Sequence, residues 1–156
     1  MHHVFNDGGR KAAGYQGASG DCVCRAISIV SGIAYQEVYD ALNALAVKER
    51  KTKRRRTRSS ARTGVYRATY EKFLFPLGYQ WVPTMRVGQG CKVHLRAEEL
   101  PLGRLIVRLS RHLTAVIDGV IHDTHDPSRG GTRCVYGYYK LCDQPVPTTG
   151  EDGCHA

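Results

Sequence analysis

A chain of 156 residues, 42% hydrophobic and 24% charged, has the length and composition to bury a core of its own, which excludes wholesale disorder and a disulfide-stapled miniature fold. No run approaches the roughly 20 apolar residues of a membrane-spanning helix, and the N-terminal "MHHVFNDGGRKAAGYQG" lacks the apolar stretch of a secretory signal, so no membrane partner and a cytoplasmic, reducing location are expected. The formal charge of +9 is concentrated in residues 48–62, "KERKTKRRRTRSSAR", with nine basic residues and one acid.

In chain order, residues 1–20 are glycine-rich and without periodicity, and read as a loop with at most a short extended piece. From Asp21 the pattern turns helical, with Cys22, Ala26, Ile29 and Val30 able to share a face and Gly32 suited to end the helix. "AYQEVYDALNALAVKER" places Val38, Leu42, Leu45 and Ala46 at helical spacing. After the basic run, a third helix is expected from Val65 to about Phe75, stopped by Pro76 and Gly78. "GYQWVPTM" reads as a strand and "RAEELP" as one helical turn. Beyond Gly103, "RLIVRLS", "HLTAVID", "VIHDT" and "CVYGYYKL" are short strands separated by turns. The expectation is one α+β domain over residues 1–142, its N-terminal helices packed on a C-terminal antiparallel sheet, followed by a disordered tail from about Asp143.

Cysteines at positions 22, 24, 91, 134, 142 and 154 lack the dense spacing of a disulfide framework, and all six read as thiols. Cys22 stands out because the first turn of a helix offers unpaired N–H groups and the positive end of the macrodipole, both of which favour thiolate. Asp21 suits the N-cap, although its charge opposes that effect. Cys24 is the rival, but two residues along the helix it points about 200° away.

A base for that thiol is written in "RLSRHLTAVIDGVIHDTHDP". Asp118-Gly119 is a strong two-residue hairpin signal. With those residues as the turn, Ile117 pairs with Val120, Val116 with Ile121, Thr114 with Asp123 and His112 with His125, so His112 and Asp123 become diagonal neighbours on one face. A histidine can take and return the thiol proton while a carboxylate orients its ring. Asp126, before Pro127, is the second choice for the carboxylate; its parity is wrong without a bulge. The developing oxyanion needs donors, for which the Cys22 N–H and the side-chain amide of Gln16, six residues upstream on a glycine-rich loop, are suited.

"QGASGDC" resembles the active-site segment of papain-like cysteine peptidases, in which an oxyanion glutamine precedes the nucleophilic cysteine by six residues. The order Gln, Cys, His, Asp is similar to that superfamily's, and "GDC" followed by "RA", with "RHLTAVIDGVIHDTHDP", also resembles small peptidase-like proteins of bacteriophages. The resemblance implies a minimal papain-like fold, a protein or peptide substrate, and roles for Gln16, Cys22, His112 and Asp123 as oxyanion donor, nucleophile, base and orienter. It would place a phage-encoded protein in the host cytoplasm. Val23 stands where papain has an aromatic residue.

The basic run, with Arg50, Lys51, Lys53, Arg54, Arg55, Arg56 and Arg58, suits either a solvated loop or contact with nucleic acid or an acidic protein surface. No aromatic residue interleaves it, which disfavours base stacking. Trp81 could border a cleft. No metal is expected, since Cys-x-Cys and His-x2-His do not match the usual ligand pairs, and no cofactor, since "VGQG" precedes neither a helix pattern nor Lys-Ser/Thr. The leading expectation is a thiol hydrolase; the alternatives are an acyltransferase or amidase with the same residues, or a binding module on a catalytically idle fold.

Overall fold

The computed structural model describes residues 1–17 and 19–142. It is an α+β fold of three helices, α1 (Cys22–Ser31), α2 (Tyr35–Val47) and α3 (Arg67–Leu74), and six strands: β1 (His2–Phe5), β2 (Tyr79–Pro83), β3 (Arg104–Leu109), β4 (His112–Ile117), β5 (Val120–Asp123) and β6 (Gly137–Leu141). Short 3-10 turns occupy Phe75–Leu77 and Ala97–Glu99. The strands lie in the order β1-β5-β4-β3-β6-β2. The tail expected to be disordered falls outside the described residues.

The hairpin forms where Asp118-Gly119 placed it. Both turn residues have positive φ, 47° and 77°, and the strands pair Ile117 with Val120, Val116 with Ile121 and Ala115 with His122. The purely antiparallel, C-terminal sheet is corrected. β1, at the other end of the chain, runs parallel to β5, with His2 opposite Val120 and Phe5 opposite Asp123. β5 has one edge on β4 and would leave the other unpaired; β1 covers it, and the Asn6 N–H and the His3 ring extend the attachment by donating to the Asp123 carbonyl at 3.0 and 2.9 Å.

The helices cover one face of the sheet, where Val23, Ile27, Leu42 and Leu74 join a core with Ile106, Leu113, Ala115 and Tyr139. Alternation along the strands turns Leu105, Val107, Leu109 and Val116 to the other face, where Leu95, Leu100 and Val135 from the connecting segments cover them. α1 is the central helix, buried from Val23 through Val30. It ends at Gly32, whose φ of 76° closes a left-handed cap with its N–H donating to Ser28.

The reading of six thiols is also corrected. Cys91 and Cys134 form a disulfide, while Cys22, Cys24 and Cys142 are free. The bridge between His94 and Cys134 brings the two segments together, a proximity that residues 43 apart do not advertise in sequence. Among the described residues, no helix is long and apolar enough to cross a membrane.

Trp81 lies over β6 at Gly137, where an added Cβ would fall 2.4 Å from the indole. Gly137→Ala is expected to displace the indole and lower stability by about 1–3 kcal/mol, seen as a reduced Tm in thermal denaturation; an unchanged Tm would contradict this packing.

Candidate active site

His112 opens β4 and Asp123 closes β5, so the hairpin delivers both to the end of the sheet beside the first turn of α1. His112 Nε2 lies 2.7 Å from Asp123 Oδ2, which leaves Nδ1 to serve Cys22, the first residue of α1, on the wall of the same cleft. Asp126, the second-choice carboxylate, instead accepts from the Ser128 N–H at 2.9 Å in a local turn. Burial would push the Asp123 carboxyl up, but bonding to His112, the imidazolium charge and the Thr124 N–H hold it down at about 2.

The same balance charges the other two groups. Burial disfavours imidazolium, yet the bonds to Asp123 and Cys22 and the negative charge of both raise His112 to about 9. Burial also pushes the Cys22 thiol up. The bond to His112, a backbone contact at Leu113 and the charges of His112 and Arg25 more than offset it, and the thiol lies below its ordinary value. Both shifts favour the thiolate–imidazolium form of the Cys22–His112 pair. Cys24 has the opposite fate: enclosed in the core, it is pushed up to about 12 by burial and by the Asp21 charge.

Asp21 does not cap α1; no side chain does. Its buried carboxylate turns inward and accepts from the guanidinium of Arg25, from Tyr35 Oη at 2.6 Å and from Ser19 Oγ at 2.7 Å, with Arg10 Nε 3.4 Å away. The expected opposition to the Cys22 thiolate is thereby answered by two arginines. Arg25 Nη2 also reaches Asp123 Oδ1 at 3.5 Å, so one side chain joins the helix carrying the thiol to the carboxylate that orients the base. Sequence reasoning missed Arg25. The Asp21-x3-Arg25 spacing predicts an ion pair along the helix, but nothing local points to Asp123, 98 residues away.

Cys22 and His112 line a cleft of about 580 Å³ whose other walls include Gly20, Thr63–Arg67 and Arg108. Gln16 is not brought into it: its exposed side chain lines a neighbouring cavity with Arg10 and Tyr15, and its carbonyl accepts from Arg10 and Arg62. The donors present beside Cys22 are the uncapped N–H groups of the first turn of α1. His125 stands next to His112, ring centroids 5.1 Å apart, with its Nδ1 3.9 Å from Asp123. Trp81 sits behind the cleft wall, 4.4 Å beneath the Arg67 guanidinium.

The basic residues 50–58 form an exposed loop between α2 and α3. Its ends are pinned by Glu49, which accepts from the Ser59 N–H at 2.5 Å and from the hydroxyls of Ser59 and Thr69. Among the described residues, no three histidine, cysteine or carboxylate side chains converge as a metal-ligand set.

A thiol with a lowered pKa, an imidazole held by a carboxylate and open N–H groups at the edge of a cleft can together form and break an acyl–sulfur bond. No protein-family model, curated protein or solved structure matches the chain.

Two outcomes follow from this geometry. The rate of Cys22 alkylation by iodoacetamide should rise with pH at a midpoint below the ordinary thiol range, because hydrogen bonding and positive charge favour the thiolate; His112→Ala should move that midpoint upward, since burial then acts unopposed by the imidazolium. An unmoved midpoint would contradict the ion pair. Asp21→Asn, which leaves Arg10 and Arg25 short of a buried counter-charge, should cost about 3 kcal/mol in urea unfolding, and a cost within error of zero would show that the network is not needed.

Proposed function

We propose that this chain is a thiol-dependent hydrolase of the papain-like kind, with Cys22 as nucleophile, His112 as acid and base, and Asp123 as the group that orients His112. The observation that carries the reading is the His112 ring bound to Asp123 at the rim of an open cleft that Cys22, at the start of α1, also lines. A helix that presents the cysteine at its first residue, packed on a sheet whose later strands supply histidine and then aspartate, agrees with the resemblance carried by "QGASGDC".

In this reaction the Cys22 thiolate attacks the carbonyl carbon of an amide or isopeptide bond. The carbonyl oxygen takes the negative charge, for which the uncapped N–H groups that open α1 are the donors at hand. His112 gives its proton to the leaving amine as the carbon–nitrogen bond breaks, leaving an acyl thioester on Cys22. Neutral His112 then takes a proton from water, whose oxygen attacks the thioester, and the sulfur leaves as thiolate beside the protonated ring as the acid product departs, which restores the starting pair. An amine in place of water would yield acyl transfer. Asp123 keeps Nδ1 directed at the sulfur throughout, because Nε2 is bound to it.

Turnover of a peptide library by the full chain, read by mass spectrometry, tests this. Cys22→Ala and His112→Ala should each lower the rate on the order of 10³-fold or more, and Asp123→Asn should lower it as well, together with the Tm, because Arg25 and His112 lose a buried counter-charge. Cleavage that persists in Cys22→Ala at the parent rate would overturn the assignment.

A further inference from the structure

The cleft that holds Cys22 and His112 is lined by four arginines, Arg25, Arg67, Arg108 and Arg111, and by no aspartate or glutamate. Two of the four are engaged. Arg25 is bound to Asp21 and Asp123, and Arg67 to Glu71 at 2.7 Å while it lies over Trp81. Arg108 and Arg111 have no carboxylate within ion-pair distance among the described residues.

The two are set differently. Arg108 is half-buried on β3, its guanidinium 5.5 Å from the Tyr136 ring centre, where a partly desolvated charge gains most from an anion. Arg111 sits in the β3–β4 turn immediately before His112 with φ 56°, a left-handed position that glycine or asparagine would fill with less strain. Its exposed side chain stands at the rim of the cleft.

The positive surface continues beyond the cleft. Tyr66 borders both the cleft and a second hollow of about 280 Å³, whose wall includes Lys48, Arg50, Lys51, Arg55 and Arg58. Glu49, the acid in that wall, is committed to Ser59 and Thr69. The Tyr66 ring is itself covered by the Arg55 guanidinium at 4.7 Å, so it is not a free platform for a nucleobase.

Resting on the thiol-hydrolase reading, we infer that the substrate is an acidic polypeptide, with an aspartate or glutamate beside the scissile bond held by Arg108 and Arg111 and further acidic residues running past Tyr66 toward the basic loop.

Two peptide libraries of equal length decide it, one with Asp/Glu and one with neutral residues fixed around a variable bond. The full chain should cleave the acidic library at least tenfold faster in kcat/KM, with the preference shrinking as salt is added. Arg108→Gln/Arg111→Gln should remove about tenfold for acidic peptides and leave neutral ones within about twofold. Equal cleavage of both libraries by the parent chain overturns the inference and leaves the hydrolase reading standing. Selective alkylation of Cys22 serves as the separate check on that reading: its absence in the parent protein removes the hydrolase, and its retention in the double variant shows that the site is intact. If Cys22 is selectively alkylated but neither library is cut, binding of labelled decaglutamate and of a 20-nucleotide single strand to Cys22→Ala decides. Tighter decaglutamate, weakened by the double variant, supports the inference; tighter DNA overturns it in favour of a nucleic-acid surface.

Discussion

The Arg25 guanidinium, held between Asp21 and Asp123, is the contact on which the site depends. Two carboxylates this deeply buried could not stay charged without a counter-ion and donors. With Arg25 between them, the start of α1 is tied to the end of β5, and Asp123 keeps the charge that holds His112 in its imidazolium form. The imidazolium in turn holds Cys22 below the ordinary thiol range despite its burial. Arg10 and Tyr35 complete the Asp21 end, so the loop before α1 and the first residue of α2 belong to the same electrostatic unit.

The fold places this unit where secondary structure stops. Cys22 begins a helix, His112 begins a strand and Asp123 ends one, so each side chain is carried by a rigid element yet stands at the rim of the cleft. The tight Asp118-Gly119 turn fixes the register between the last two, and β1 seals the edge of β5 that would otherwise be free to slip or pair elsewhere. Packing of α1 against β4 brings the thiol to them. One wall of the cleft is Thr63–Arg67, the segment following the basic loop, so the charged appendage and the chemistry share a boundary.

Much of this was legible because the relevant rules are local. The helix and hairpin positions agree with apolar periodicity and turn chemistry, and the pairing of His112 with Asp123 rather than Asp126 follows from counting outward from Asp118-Gly119. What was not legible joins distant segments. β1 has too little alternation to announce a strand, and its parallel partner is chosen by an open edge. Cys91 and Cys134 meet through a bridge between loops, and Asp21, which has the residue type and position of an N-cap, is drawn inward by partners a helix cap would not meet. Gln16 has the upstream spacing of an oxyanion donor, but the loop carrying it folds toward Arg10 and Tyr15.

By itself, then, the sequence determined the elements that carry the thiol, the imidazole and the carboxylate, since helix period, turn type and strand parity act over a few residues. Only the tertiary structure decided that the thiol meets the other two, that Arg25 links them and that Arg108 and Arg111 line the same cleft without a carboxylate partner among the described residues. Those outcomes depend on burial and on charge balance among groups about a hundred residues apart, as Arg25 and Asp123 are, and such forces exist only once the chain has closed around them.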